Sequence, residues 1–444
     1  MNTPICDFVE SYRQSRAVRL HMPGHKGKAV LGPEALDITE VPGADVLYAA
    51  GGIVAESQEN ASALFGSART LYSCEGSSLA IRAMLFLALL CRRGEERPLI
   101  LAARNVHKTF VSAAALLDFD VQWLWGGEGL LSCRVSPEEL DHTLRHMERK
   151  PLALYVTSPD YLGNLSDIAG LSQVCHTHGI LLLVDNAHGA YLRFLPKSLH
   201  PMQLGADLCC DSAHKTLPVL TGGAYLHLSR QAPPELSANA ERAMALFAST
   251  SPSWLILQSL DRANRYLAEE GPELLARCAE VLAQQRQRLQ RQGWQLVGDE
   301  PLKLSLAPKA RGYTGEELAE LLRREGFVCE FSDPDYLVCM VSPAVDAQEL
   351  ERLTAFLLAL PACSPIPGQM PPLGVPCPRM SIRQASLSPA ELLPLHQCRG
   401  RVLAAANVSC PPAIPILVCG EEIDEAAMAA MAYYGLSHCP VVKK

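Results

Sequence analysis

Between about residue 64 and residue 230 the chain alternates short apolar runs with longer amphipathic or Ala/Leu-rich stretches. The runs at 98–102, 121–125, 152–157, 180–184, 206–210 and 223–228 have strand length, and several are apolar throughout, which predicts strands buried on both faces. The stretches at 77–92, 107–117, 136–149 and 168–178 predict helices between them. In Ser136-Pro137-Glu138-Glu139 a Ser N-cap precedes Pro and two acids, the residues that suit the positive end of a helix. Strands and helices in alternation predict an α/β fold with a mostly parallel sheet between helical layers.

Residues 233–292 are rich in Glu, Leu, Ala, Gln and Arg and read as long bridging helices. A smaller α+β region follows, with strands at 303–306 and 336–341 and helices at 315–325 and 347–360. Seven prolines within 361–378 mark a linker or wrapping segment before a last stretch of mixed character, 379–444. The expected division is a large domain over 1–292 and a small C-terminal domain over 293–444.

Composition narrows the function. Apolar types at 48% and charged types at 19% exclude disorder as the main state. With 39 Lys+Arg against 47 Asp+Glu the net charge is −8, so no basic field favours nucleic acid. The most apolar stretch, 79–91, is interrupted by Arg82 and too short to span a membrane, and the first residues lack a signal-peptide pattern. Sixteen cysteines are scattered without any CxxC, which reads as reduced thiols in a cytoplasmic protein.

The chemistry concentrates after two apolar runs. Leu181-Leu182-Leu183-Val184 ends on Asp185, and the polar cluster Asp211-Ser212-Ala213-His214-Lys215-Thr216 follows, with Lys215 thirty residues after that Asp. Ligand crevices form at the carboxyl ends of parallel strands. A desolvated Lys there can become an imine-forming nucleophile, and an Asp there can keep a pyridine nitrogen protonated. Taken singly, the Asp could be a helix cap and the Lys a surface charge; the pair favours function. Gly76-Ser77-Ser78 opens a helix and offers backbone N–H groups and hydroxyls to an anion, with Ser212 and His214 beside the lysine. Nucleotide loops of the GxxxxGK[ST] or GxGxxG type are absent, which argues against ATP, GTP and NAD. His107 follows the run at 98–102 and could stack on a flat cofactor ring. His21-Met22-Pro23-Gly24-His25-Lys26-Gly27 cannot be helical, so its two His form no i,i+4 metal pair; a rigid loop near substrate is expected and no metal.

These motifs together resemble the Orn/Lys/Arg decarboxylase family, pyridoxal 5'-phosphate enzymes of fold type I, the aspartate-aminotransferase type. The resemblance rests on His21 to Gly27, on Arg104-Asn105-Val106-His107-Lys108 and on Thr157-Ser158-Pro159-Asp160-Tyr161-Leu162-Gly163. It continues in Val184-Asp185-Asn186-Ala187-His188-Gly189-Ala190, in Ser212-Ala213-His214-Lys215-Thr216-Leu217-Pro218 and in the closing Pro411-Pro412-Ala413-Ile414-Pro415 with Gly420-Glu421. It implies Lys215 as the cofactor-attachment lysine, Asp185 on the pyridine nitrogen, His107 stacked on the ring and His188 close to it. It further implies Ser77, Ser78, Ser212 and His214 on the phosphate, Glu421 as a substrate contact, and a homodimer with active sites at the interface. The chain departs from the family pattern at Asn186, where an acid is usual, and at Ala413, Cys419 and Lys28. It is similar to the short form, whose members decarboxylate arginine, lysine or ornithine to the polyamine-type amine and carbon dioxide.

Two other readings stay open on sequence grounds. One keeps the cofactor but runs an aminotransferase or a C–S or aldol lyase reaction, with Arg311, Arg379 or Arg383 clamping the substrate carboxylate. The other is an idle cofactor-binding relative.

Overall fold

The computed structural model describes residues 1–92, 94, 97–126, 131–368, 370–405 and 414–444, so Pro411, Pro412 and Ala413 lie outside the described residues. Seven strands form one sheet: β1 (Arg69–Ser73), β2 (Leu99–Ala103), β3 (Asp120–Leu124), β4 (Ala153–Thr157), β5 (Leu181–Asp185), β6 (Leu208–Asp211) and β7 (Ala224–Leu228). Their order is β1-β7-β6-β5-β4-β2-β3. β2 pairs with β3, and β5 with β6, in parallel. β7 runs antiparallel to both β1 and β6. Every residue of β2, β5 and β7 is buried, the two-sided burial that continuous apolar runs imply. The helices at Gly76–Leu90, Lys108–Leu117, Pro137–His146 and Ile168–His178 fall where periodicity puts them. Ser136 accepts from the Glu139 N–H while the Glu139 carboxylate accepts from the Ser136 N–H, a full capping box. β1 was not expected from the apolar pattern, because Arg69, Thr70 and Ser73 break the run; Thr70 and Ser73 are nonetheless buried.

The chain divides into two compact units. The first comprises Met1–Arg93, Leu152–Leu154 and Ile168–Ala276. Within it, His21 to Gly27 is non-helical, as Pro and Gly dictate. Gly27 adopts φ +76° with the Arg19 guanidinium 2.8 Å from where a Cβ would stand. Its N–H donates to His25 Nδ1, and His25 Nε2 lies 3.1 Å from Asp37 Oδ2.

The second unit comprises Gly94–Pro151, Tyr155–Asp167 and Arg277–Lys444. It holds a four-stranded sheet of β8 (Leu296–Val297), β9 (Lys303–Leu306), β10 (Phe331–Ser332) and β11 (Leu337–Met340), in the order β10-β11-β9-β8. The stretch after the Pro-rich segment is ordered too: β12 (Ala390–Pro394) pairs antiparallel with β13 (His438–Val442). Leu403, Ile416, Leu417, Ile423, Met431 and Val441 seal a core there. Among the described residues no helix is long and apolar enough to cross a membrane.

Candidate active site

The short helix Ala213–Thr216 begins where β6 ends, so Lys215 leaves the sheet one turn after Asp211. Its Nζ lies 3.0 Å from His188 Nε2, on the turn that follows β5. One nitrogen atom donates to the other, and which one does so depends on the tautomer of the ring. At the end of β5, Asp185 is 1% exposed. Its Oδ1 accepts from the Ala187 N–H at 3.2 Å and faces Cys210 Sγ at 3.6 Å. Burial first, then the Asp185 and Asp211 carboxylates, push the Cys210 thiol well up, so it stays protonated and donates to Asp185. The pairing of β5 with β6 explains the contact, since Asp185 stands opposite Cys210.

The phosphate candidates also converge. Ser212 donates its hydroxyl to Ser77 Oγ at 2.8 Å, at the N-terminal turn of Gly76–Leu90. That turn presents N–H groups without intrahelical acceptors. Ser78 is half-buried on the same turn. His214 donates from Nδ1 to the Gly223 carbonyl at 2.9 Å, so its Nε2 can donate to an anion only when the ring is doubly protonated.

Beneath these loops lies a network that sequence reasoning missed. Asn186 donates to Asp211 Oδ1 at 2.7 Å, while His200 and His227 donate to Asp211 Oδ2 at 2.9 and 3.0 Å. All four residues are fully buried. Burial alone would raise the Asp211 carboxyl, but the two imidazoles outweigh it and hold it far below the usual carboxylate range. Burial pushes His227 down, so it stays neutral. One carboxylate thus ties the residue after Asp185 to the residue before Ser212. The sequence carried one overlooked signal: His227 is the polar interruption of an otherwise apolar strand. His200, Cys209 and Asp211 offer ligand atoms within 4.8 Å of one another. Hydrogen bonding accounts for the group, however: His200 Nδ1 accepts from the Met202 N–H, which places the ring proton on Nε2, toward Asp211.

In the second unit His107 caps Lys108–Leu117, with Nδ1 accepting from the Thr109 N–H at 3.1 Å. Glu421 is 4% exposed, and its Oε2 accepts from Arg104 Nη2 at 2.9 Å and from the Val418 N–H at 2.7 Å. Burial pushes the Glu421 carboxyl up and the Arg104 guanidinium down, and the ion pair counters both. Arg104 also lies over the rings of Trp123 and Trp125. Asp160 organises its own motif as an Asx-type turn, with Oδ1 accepting from the N–H groups of Leu162 and Asn164. The three arginines considered as carboxylate clamps are all engaged. Arg311 donates to the Gln292 and Leu360 carbonyls, Arg379 pairs with Glu422, and Arg383 donates to the Ala115 and Leu116 carbonyls.

Residues 3–305 match the Orn/Lys/Arg decarboxylase major domain. The chain belongs to the Orn/Lys/Arg decarboxylase family. Residues 374–438 match the family's C-terminal domain. Arginine decarboxylase of Bacillus subtilis (strain 168) is 28% identical over 474 residues, covering 95% of this chain and 91% of the relative. Arginine decarboxylase of Halalkalibacterium halodurans is 29% identical over 482 residues, covering 99% and 94%. The solved lysine decarboxylase of Francisella novicida superposes with a TM-score of 0.79 at 16% identity, over 99% of this chain and 81% of that one. At that identity the likeness is one of fold, and the fold is the type I expected from the sequence. The expectation of a decarboxylase of this family is borne out.

Proposed function

We propose that this Orn/Lys/Arg decarboxylase binds pyridoxal 5'-phosphate at Lys215 and decarboxylates arginine, lysine or ornithine. The observation that carries the reading is the Lys215–His188 contact at 3.0 Å, on the loop where the family places its attachment lysine. The donor set fits the cofactor: an amine beside an imidazole, a buried carboxylate, and paired serine hydroxyls on a helix N-terminus. When bound, the cofactor supplies the electron sink that carboxylate loss requires.

The remaining work falls to side chains. Asp185, fixed by the Ala187 N–H and the Cys210 thiol, holds a pyridine nitrogen protonated. Ser77, Ser78, Ser212 and His214 would hold the phosphate. Lys215 Nζ and His188 Nε2 would hold between them the proton that decarboxylation requires at the carbon losing its carboxylate. Asp211 acts through Asn186 and Ser212 as a positioning residue. The resemblance adds His107 over the cofactor ring. The resemblance also keeps Glu421, whose Oε2 accepts from Arg104, as the substrate contact. A homodimer, a cytoplasmic location and a division near residue 292 belong to the same proposal.

Carbon dioxide release from the purified protein with pyridoxal phosphate, offered the three amino acids separately, tests it. Release from one of them, absent in Lys215→Ala, is expected. Keto acid without carbon dioxide would overturn the reading.

A further inference from the structure

Cys329 lies two residues before β10 of the β10–β11 hairpin, and Cys339 lies within β11. The hairpin is pinned by the pairs Phe331↔Val338 and Ser332↔Leu337 and by the Glu330 N–H on the Val338 carbonyl at 3.0 Å. It brings the two sulfur atoms to 3.6 Å, van der Waals contact. Both residues are half-buried, and the Cys329 thiol is the less enclosed of the two. The pair is also asymmetric. The Cys339 thiol donates to the Cys329 sulfur, which draws Cys329 below the ordinary thiol value and leaves Cys339 well above it. Cys398 and Cys439 also interact, but both are wholly buried, and Cys439 Sγ is turned onto Met431 Sδ at 3.4 Å. Cys363 and Cys377 are exposed on the Pro-rich segment, away from any regular strand.

We propose that Cys329 and Cys339 are a site of reversible disulfide formation by exchange with a small-molecule disulfide. Cys329 thiolate attacks one sulfur of the reagent; the reagent's S–S bond breaks and one small thiolate leaves. Cys339 thiolate then attacks the Cys329 sulfur of the mixed disulfide, forms the protein S–S bond and expels the second small thiolate. Two cysteines are oxidised, one disulfide is reduced to two thiols, and the two protein protons pass to the leaving thiolates. Closing the bond requires the sulfurs to approach from 3.6 Å to about 2.05 Å. The clip crosses the hairpin against which Tyr161 docks, its ring edge-on to Phe331 at 5.2 Å and its hydroxyl on Glu330 at 3.2 Å. This site is independent of the decarboxylase chemistry.

The test equilibrates the full chain, with pyridoxal phosphate present, against oxidised glutathione, followed by intact mass and peptide mapping without reduction. The expected product has lost two hydrogens and yields one peptide joined through Cys329 and Cys339. Cys339→Ser should stop at a stable glutathione adduct on Cys329, while Cys329→Ser should leave Cys339 unmodified; far-UV circular dichroism checks that both variants fold. A joined peptide dominated by Cys363 or Cys377, or a lasting glutathione adduct on Cys329 in the unaltered chain, would overturn the proposal.

Discussion

Asn186 Nδ2 and Asp211 Oδ1, 2.7 Å apart, join the residue after β5 to the last residue of β6, twenty-five positions on in the sequence. The sequence marks Asn186 only as a departure, an amide where the family usually has an acid. The structure supplies the reason: a carboxylate already stands opposite, held ionised by His200 and His227. Placing an acid there with Asn186→Asp sets two carboxylates face to face in the core, which should cost about 3 kcal/mol or more of stability. Adding Asp211→Asn restores one charge, one amide and the acceptor for both imidazoles. The double variant should therefore recover most of the loss and regain cofactor binding. Chemical denaturation of the four proteins reads the coupling, and simple additivity would remove Asp211 from its positioning role. Lys215, Asp185, His188 and the serine pair were legible in the sequence because motif spacing survives without coordinates. The Asp211 network was not, since His200 and His227 come from separate elements that only strand pairing brings together.

At the scale of elements, the turn between β10 and β11 carries a deliberate-looking cost. Asp333 Oδ1 accepts from the N–H groups of Asp335 and Tyr336, while Oδ2 is buried without a hydrogen-bond partner. Burial raises this carboxyl to about 6, against the N–H bonds that lower it. A carboxyl raised on folding opposes the fold wherever it must ionise, so its cost is present above pH 6 and fades as pH falls toward the unfolded value near 4. Asp333→Asn keeps the acceptor and removes the charge. It should stabilise the protein by about 2 kcal/mol at pH 7.5 and by little at pH 4.5, measured by urea unfolding at both pH values. An equal gain at both would sink the charge argument. The elements themselves were legible where the pattern was strong, as at β5 and Ile168–His178, and illegible where polar residues are buried, as at β1. The stretch after the Pro-rich segment looked featureless because its pairing partners, β12 and β13, lie some fifty residues apart and leave no local period.

For the whole molecule, buried His227 contributes to the response to acid. His227 is pushed down on folding, so the unfolded chain takes up a proton that the folded chain refuses. Stability through this residue is complete above the unfolded value near 6.5 and is lost as pH falls through it toward the folded value. Asp211 adds no loss in that window, because its carboxyl is depressed and titrates only in stronger acid. The thermal midpoint should therefore fall between pH 7.5 and 5.5, and by less in His227→Gln. Parallel curves for the two proteins would assign the acid sensitivity elsewhere. The sequence by itself determined the fold class, the family, the lysine and the acid after their strands. Each of these is written in a continuous stretch: an apolar run, a capped helix, a motif of seven residues. Tertiary structure alone decided what surrounds them, namely Cys210 against Asp185, the His200–Asp211–His227 cluster, Arg104 on Glu421 and the Cys329–Cys339 pair. Such contacts depend on register between strands and on loops that end side by side, and side-chain spacing along one chain does not encode either.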